Sequence, residues 1–463
     1  MRGIQPLVEN STDEKRIEKE GFVYFALCFN FIVTVMNTSM FNIAIPDISN
    51  DFSLTPFAAS WIVTSYSVVF AIGSICYGRL SDRFSIRSLL TFGLILFGVG
   101  SLSGAAASNF FILVLARLIQ AAGASCIPGL GMVLTTIYIP SCRRGLAMGK
   151  LNAAAILGMG FGPLLGGLVT YYLGWSALFL MTASAAVMIP VYVKYLPIEK
   201  NSDTSFDIVG LLLFSAGLIS LLLIVISGSW FFAFGAVCWL FFRLHIRKVK
   251  KSPFIPENLI TDKRYILSVL LGFLVFFINF SVMFIVPLMM ANLFESSAQE
   301  IGLIIFPGAI GSALAALFIA RLLDRFGVAI ILRISMLFLC LSCLLFSSFG
   351  YHSSLSVLLF YMISMLSFSS ANTGIPKYLS MYLKENQVGV GMGGFQLMQF
   401  FGGAFGATVT GKLLNTLSER ENALLLFWRG EGVQYSDTFL ILTLLSFVAF
   451  IIHYFLQKTI TQE

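Results

Sequence analysis

Fourteen apolar runs of about 20 residues each, the length that spans a bilayer core, dominate this 463-residue chain. They lie near 22–45, 57–78, 88–107, 110–136, 147–173, 176–196, 207–227, 230–246, 265–290, 300–320, 328–349, 354–376, 388–414 and 438–457. Lipid offers no partner for backbone N–H and C=O groups, so segments of this kind must close their hydrogen bonds internally, as helices. The expected fold class is therefore an all-α membrane protein. Composition agrees: 58% of the residues are hydrophobic and 11% charged, against about 25% charged in soluble domains, and the mean hydropathy is +0.90.

An even number of spans puts both termini on one side, and the basic residues indicate which. With the N-terminus inside, 25 of the 29 Lys and Arg fall in the N-terminal segment, at inner helix ends or in inner loops. Lys412, Arg420 and Arg429 lie outside, in one long loop, and Arg117 lies within a span. This is a strong positive-inside pattern, and it accounts for the net charge of +7 without nucleic acid as a partner. Residues 1–20 carry nine charges where a cleavable signal peptide would have its apolar core. Both termini are expected in the cytoplasm. The seven cysteines fall in apolar segments or inner loops, and even the Cys340–Cys343 spacing lacks flanking ligands, so neither a disulfide framework nor a metal site is expected.

The chain repeats itself. Arg79-Leu80-Ser81-Asp82-Arg83-Phe84 returns as Arg321-Leu322-Leu323-Asp324-Arg325-Phe326, and Asn37 maps onto Asn279 at the same shift of 242. Gly145, Met148 and Gly149 map onto Gly389, Met392 and Gly393. The implied organisation is a cytoplasmic segment 1–21, a six-helix half 22–200, two inserted helices with a linker over 201–258, and a second six-helix half 259–463. Parallel repeats of this kind are a transporter architecture, with substrate bound between the halves near the midplane.

One helix is unusual. In GMGFGPLLGG, Gly158, Gly162 and Gly166 recur every fourth residue and share one face, with Gly160 and Gly167 thinning the helix further. Pro163 lies in its middle, which a membrane helix tolerates. Such a face admits another helix at very close range. It is either a tight packing contact alone or a contact that holds in one state and loosens in another.

These motifs resemble the major facilitator superfamily. Gly78-Arg79-Leu80-Ser81-Asp82-Arg83 and Arg87 resemble its signature loop, with Ser85 in place of the usual second glycine. The resemblance implies a cytoplasmic charge cluster in which Asp82, Arg83, Arg87 and the repeated Asp324 gate the inner side. Arg117, Gln120 and Gly123 resemble the second motif, whose arginine is associated with proton coupling in exporters. Gly158, Gly162, Pro163, Gly166 and Gly167 resemble the antiporter motif. MNTSMFNIAIP at 36–46 resembles the first helix of the fourteen-helix drug:proton antiporters, with Asn37 in place of an aspartate. The Gram-positive tetracycline exporters look most similar, but they carry membrane glutamates where this chain has Thr38, Met159 and Gly403. The resemblance implies a bacterial cell-membrane exporter, monomeric, with small molecules and protons as partners, lipid around it and no cofactor.

The 22 carboxylates all fall at span ends or in loops on this reading, so the midplane is expected to be neutral to positive. Its polar groups are Asn37, Asn42, Gln120, Asn279, Asn372, Gln396 and Gln399, with Ser39 and Asn152, around Arg117. An intramembrane arginine costs about 2.5–3.5 kcal/mol even on the lenient insertion scale and should face a polar interior. The alternative is a structural arginine bonded to backbone. No Gly-x4-Gly-Lys-Ser/Thr loop is present, which excludes a built-in ATPase of that type, and no nucleophile–base pair suggests an enzyme. The expected activity is proton-driven export of amphipathic molecules. Export or facilitated passage of an endogenous anionic metabolite, and a receptor or channel on a transporter fold, are the rivals.

Overall fold

The computed structural model describes residues 19–81, 83–139, 141–197, 207–227, 230–248, 259, 261–383, 388–418 and 432–461. The first part of the chain folds into α1 (Glu20–Asp51), α2 (Pro56–Leu80), α3 (Ile86–Ala105), α4 (Phe110–Ala124), α5 (Cys126–Tyr138), α6 (Ser141–Leu173), α7 (Ser176–Ala183) and α8 (Ile189–Tyr195). Next come α9 (Ile208–Ser227) and α10 (Trp230–Lys248). The last part comprises α11 (Lys263–Phe294), α12 (Ala298–Phe326), α13 (Val328–Phe349), α14 (Ser354–Ser380), α15 (Val388–Leu417) and α16 (Val433–Thr461).

Local chemistry sets many of these boundaries. Thr55 caps α2 by accepting from the Ala58 N–H, with Pro56 in the first turn where its missing N–H does no harm. Asn109 caps α4 through the Ile112 N–H at 2.9 Å. Ser297 and Glu300 form a reciprocal capping box on α12. The short turn between α6 and α7 depends on Gly174, at φ +80°, a conformation that costs a side-chain-bearing residue more.

Eleven stretches among the described residues are long and apolar enough to cross a membrane. The other three expected spans coincide with α9, α10 and the glycine-rich α15, which are helical but are not among these eleven, so the count of fourteen goes beyond what the eleven establish. Two expected spans are interrupted: 110–136 breaks at Ser125 into α4 and α5, and 176–196 passes through a 3₁₀ turn over Ser184–Met188.

The helices before α9 and those after α10, the two halves, pack in matching patterns. α1 and α11 each have 32 residues and an internal proline, Pro46 or Pro287. Each packs along the glycine-rich helix of its own half, α1 on α6 and α11 on α15. Each glycine-rich helix also packs on the second helix of the other half, α6 on α12 and α15 on α2. The inserted α9 and α10 pair through Phe214, Trp239 and Phe242 and through Asp207–His245 at 2.6 Å, and α9 rests on α15.

Candidate functional site

Two features stand out, a seam between the halves and a buried arginine behind it. The seam begins on α6. A Cβ added to Gly158 would lie 2.6 Å from the Ile32 carbonyl oxygen, one on Gly162 would lie 2.9 Å from Ser39 Cβ, and one on Gly166 would lie 2.8 Å from the Met40 carbonyl oxygen. These three glycines therefore press on α1, inside their own half. The other side of α6 meets the opposite half: a Cβ on Gly160 would lie 2.7 Å from Ile310 Cδ1, and one on Gly167 would lie 2.5 Å from the Ala298 carbonyl oxygen. Gly302 reciprocates, since its Cβ would lie 2.6 Å from the Pro163 carbonyl oxygen. The every-fourth-residue face, expected as a possible moving contact, is thus the one within a half. The contact between halves uses Gly160, Pro163 and Gly167, which the i, i+3, i+7 spacing places on a different face.

A second strip of the seam joins α2 to α15. Gly411 is close-packed on Pro56 and Ser60. Thr64 shares a 2.7 Å hydrogen bond with Thr408 and donates to the Ala404 carbonyl at 3.3 Å. Phe70 meets Phe400 edge to face at 5.1 Å between ring centroids. Phe161 and Phe306 add a 6.1 Å ring contact between α6 and α12. The hydrogen bonds, ring contacts and glycine contacts found between described residues of the two halves all lie from the middle of these helices towards one end. That end holds the α1–α2 turn, expected on the outer side from the distribution of Lys and Arg.

Arg117 lies behind this seam, 1% exposed. Its Nε donates to the Ile62 carbonyl at 3.2 Å, and Nη1 donates to Asn37 Oδ1 at 3.1 Å and Gln120 Oε1 at 2.7 Å. Its guanidinium carbon sits 4.2 Å from the Phe41 ring centroid and 4.3 Å from that of Tyr66, so one ring from α1 and one from α2 stabilise the charge. Gln120 passes the network on, donating to Ser101 at 2.9 Å and Thr182 at 3.0 Å. Among the described residues no carboxylate pairs with Arg117. Asn37 and Tyr66 are themselves buried, at 0% and 2% exposure.

The remaining expected site residues disperse. Asn42 and Asn279 are buried, Asn42 donating to the Thr38 carbonyl and Asn279 to Met283 Sδ. With Asn37 and Gln120 they are enclosed by protein, so they do not line an open cavity. Gln399 donates to Asn372 at 3.5 Å, joining α15 to α14. Gln396 alone among these amides is exposed. Asp82 lies outside the described residues, as does the side chain of Asn152. Arg83 rests on Phe84, 5.7 Å from its ring, and Arg87 opens α3. Asp324 pairs with Lys377 of its own half, so its described ion pair is not a bridge to the other half.

One expectation about the acids is corrected. Asp437, placed in a loop by its polar neighbourhood, lies in the second turn of α16 and is 1% exposed. Polar partners carry that turn inward: Ser436 and Ser347 exchange hydrogen bonds of 2.7 and 2.8 Å, and Asn292 donates to the Tyr435 hydroxyl at 2.6 Å. Asp47, likewise, lies within α1 and is half-buried. Phe41, Tyr66, Ser101, Thr182, Gly302 and Phe400 were not singled out from the sequence. Only the helical register with their partners marks them, and that register is visible only once the helices are packed.

The packing yields a first expectation. Gly162→Leu should lower the melting temperature of the purified protein and abolish transport, because α1 cannot move aside without unseating Asn37 from Arg117. A normal melting temperature with normal transport would remove the close contact from the account.

The Major Facilitator Superfamily profile matches residues 27–246 and 268–462, and the chain belongs to that family of multi-pass membrane transporters. It is 27% identical over 333 residues to the riboflavin transporter RibZ of Clostridioides difficile, covering 70% of this chain and 73% of that one. It is 28% identical over 335 residues to the methylenomycin A resistance protein of Bacillus subtilis, covering 70% and 72%. A putative multidrug resistance protein, MdtD of Klebsiella pneumoniae, is 26% identical over 414 residues, covering 86% and 87%. Among solved structures, a bacterial homologue of the human lysosomal transporter Spinster, in an inward-facing unoccupied conformation, superposes with a TM-score of 0.70 at 14% identity, covering 96% and 98%.

Proposed function

We propose that this protein is a proton-gradient-driven exporter of amphipathic small molecules that works by alternating access, with Gly160, Pro163 and Gly167 of α6 forming the contact that opens and closes its outer side. The observation that carries the reading is the two-sided packing of α6, fixed to α1 in its own half on one face and pressed on α12 of the other half on the opposite one. A helix so placed moves with its own half, and the flat glycine surface towards α12 lets the halves separate and re-form contact without interlocked side chains. Drug-resistance proteins among the relatives support export as the direction. The proton as driver rests on the antiporter resemblance.

Arg117 shapes the substrate preference in this reading. A buried cation with amide and ring partners but no acid disfavours a second cation, because burying an uncompensated charge costs several kcal/mol. Neutral and anionic amphiphiles are therefore the preferred cargo. The same observation favours the second reading, export of an endogenous anionic metabolite. Inverted vesicles loaded by a panel matched in size and lipophilicity, but differing in charge, test both. Gradient-dependent uptake of neutral and anionic compounds, lost when the pH gradient is collapsed, is the expected result. Robust export of quaternary ammonium dyes would overturn the charge argument, and uptake indifferent to the gradient would overturn the driver.

A further inference from the structure

At its inner edge the outer seal ends on a ring, Phe400. Phe70 of the first half meets it edge to face at 5.1 Å and 73°, and Phe276 of its own half does the same at 6.0 Å and 74°. The series continues in both directions. Phe70 stacks on Tyr66 at 5.6 Å and 18°, with Arg117 on the far side of Tyr66, and Phe276 meets Phe368 at 5.2 Å. Phe70 and Phe276 are buried, at 6% and 7%, whereas Phe400 is only partly covered.

Phe400 sits on the face of α15 that meets α2 of the opposite half, and it is the least covered ring of the series. Gln396 lies one turn from Phe400 on the same face of α15, towards the inner end, and is exposed. That face is the one with which Phe400 touches Phe70 of the opposite half. An exposed residue directly inward of a contact between halves borders the opening between them. A molecule entering from the inner side therefore meets an aromatic ring at the end of its path and an amide beside it.

We infer that this ring is a stacking platform, and that the ligand class it selects is the flat, neutral or anionic aromatic ring system, with Gln396 hydrogen-bonding a polar edge. Aromatic pairs gain from offset-stacked and edge-to-face geometry beyond the area they bury. Phe400 is already held in orientation from two sides, so little side-chain freedom is lost when a ligand stacks on it. A bulky aliphatic molecule of equal size gains only the area. The inference rests on the proposed passage of substrate between the halves, but its test reads binding and not transport.

The probe is acridone, a flat neutral fluorophore, titrated into the purified full-length protein against an alicyclic amide of matched size as competitor. Wild type should bind acridone at least tenfold more tightly than the amide. Phe400→Leu, which keeps apolar volume and removes the ring, should weaken acridone at least tenfold and the amide less than about twofold. Phe400→Tyr should restore the preference. Thermal unfolding of each variant confirms that the fold is intact. Equal loss of both probes in Phe400→Leu, or no preference in wild type, would overturn the platform. Acridone binding by this pattern without export from vesicles would leave the platform standing and count against the exporter reading instead.

Discussion

Gly167→Leu should leave the protein inserted and folded yet reduce transport at least tenfold, with its outer side held open. A Cβ on Gly167 would lie 2.5 Å from the Ala298 carbonyl oxygen and 3.0 Å from Gly302 Cα, both on the opposite half and neither on a flexible side chain. Overpacking of this kind costs about 1–3 kcal/mol. Each 1.4 kcal/mol is about tenfold in a population, so the outer-closed state should become on the order of 5- to 100-fold rarer. Reaction of a cysteine at Phe161 or Phe306 with a membrane-impermeant reagent from outside should rise accordingly. Because the clash is between halves, each half keeps its own core, and the melting temperature should change far less than in Gly162→Leu. If both variants lose stability equally and neither opens the outer side, the two faces of α6 do not have separate roles.

The second large effect is expected at Arg117. Replacing it with Leu leaves the Ile62 carbonyl, Asn37 Oδ1 and Gln120 Oε1 without the donor that each now has. A buried group left unpaired costs about 1–3 kcal/mol, so Arg117→Leu should sharply lower the melting temperature and abolish transport. Arg117→Lys is the informative variant. It retains the charge but lacks the planar fork that serves three acceptors while lying between two rings. Stability should be partly recovered, and the discrimination against cationic compounds should persist. Asn37→Asp tests the charge directly, placing a carboxylate 3.1 Å from Nη1 where the amide oxygen now accepts. It should raise transport of cationic over anionic compounds at least tenfold relative to wild type. An unchanged charge preference in Asn37→Asp would reduce Arg117 to a structural arginine, the role that its bond to the Ile62 carbonyl already gives it in part.

Much of the architecture is legible in the residues. Span length and the bias of Lys and Arg mark an all-helical membrane protein, and the repeated loop at 79–84 and 321–326 marks an internal repeat of the sequence. These signals depend on transfer of side chains into lipid and on charge at the membrane surface, so they are local properties of the chain. The glycine motif is legible in the same way, because four-residue spacing alone puts Gly158, Gly162 and Gly166 on one face. Which helix that face would meet is not a local property. Lipid is as apolar as a packed interior, so the sequence of a spanning helix carries little contrast between its outward and inward sides. Only the tertiary arrangement shows that Gly162 rests on α1 while Gly167 rests on the other half. Only that arrangement encloses Asn37, Asn42 and Asn279 instead of exposing them, and carries Asp437 into the interior. The charge at Arg117 was evident from its position within an apolar run, but its ring and amide partners come from α1, α2 and α4, which neighbour one another only after the helices have packed.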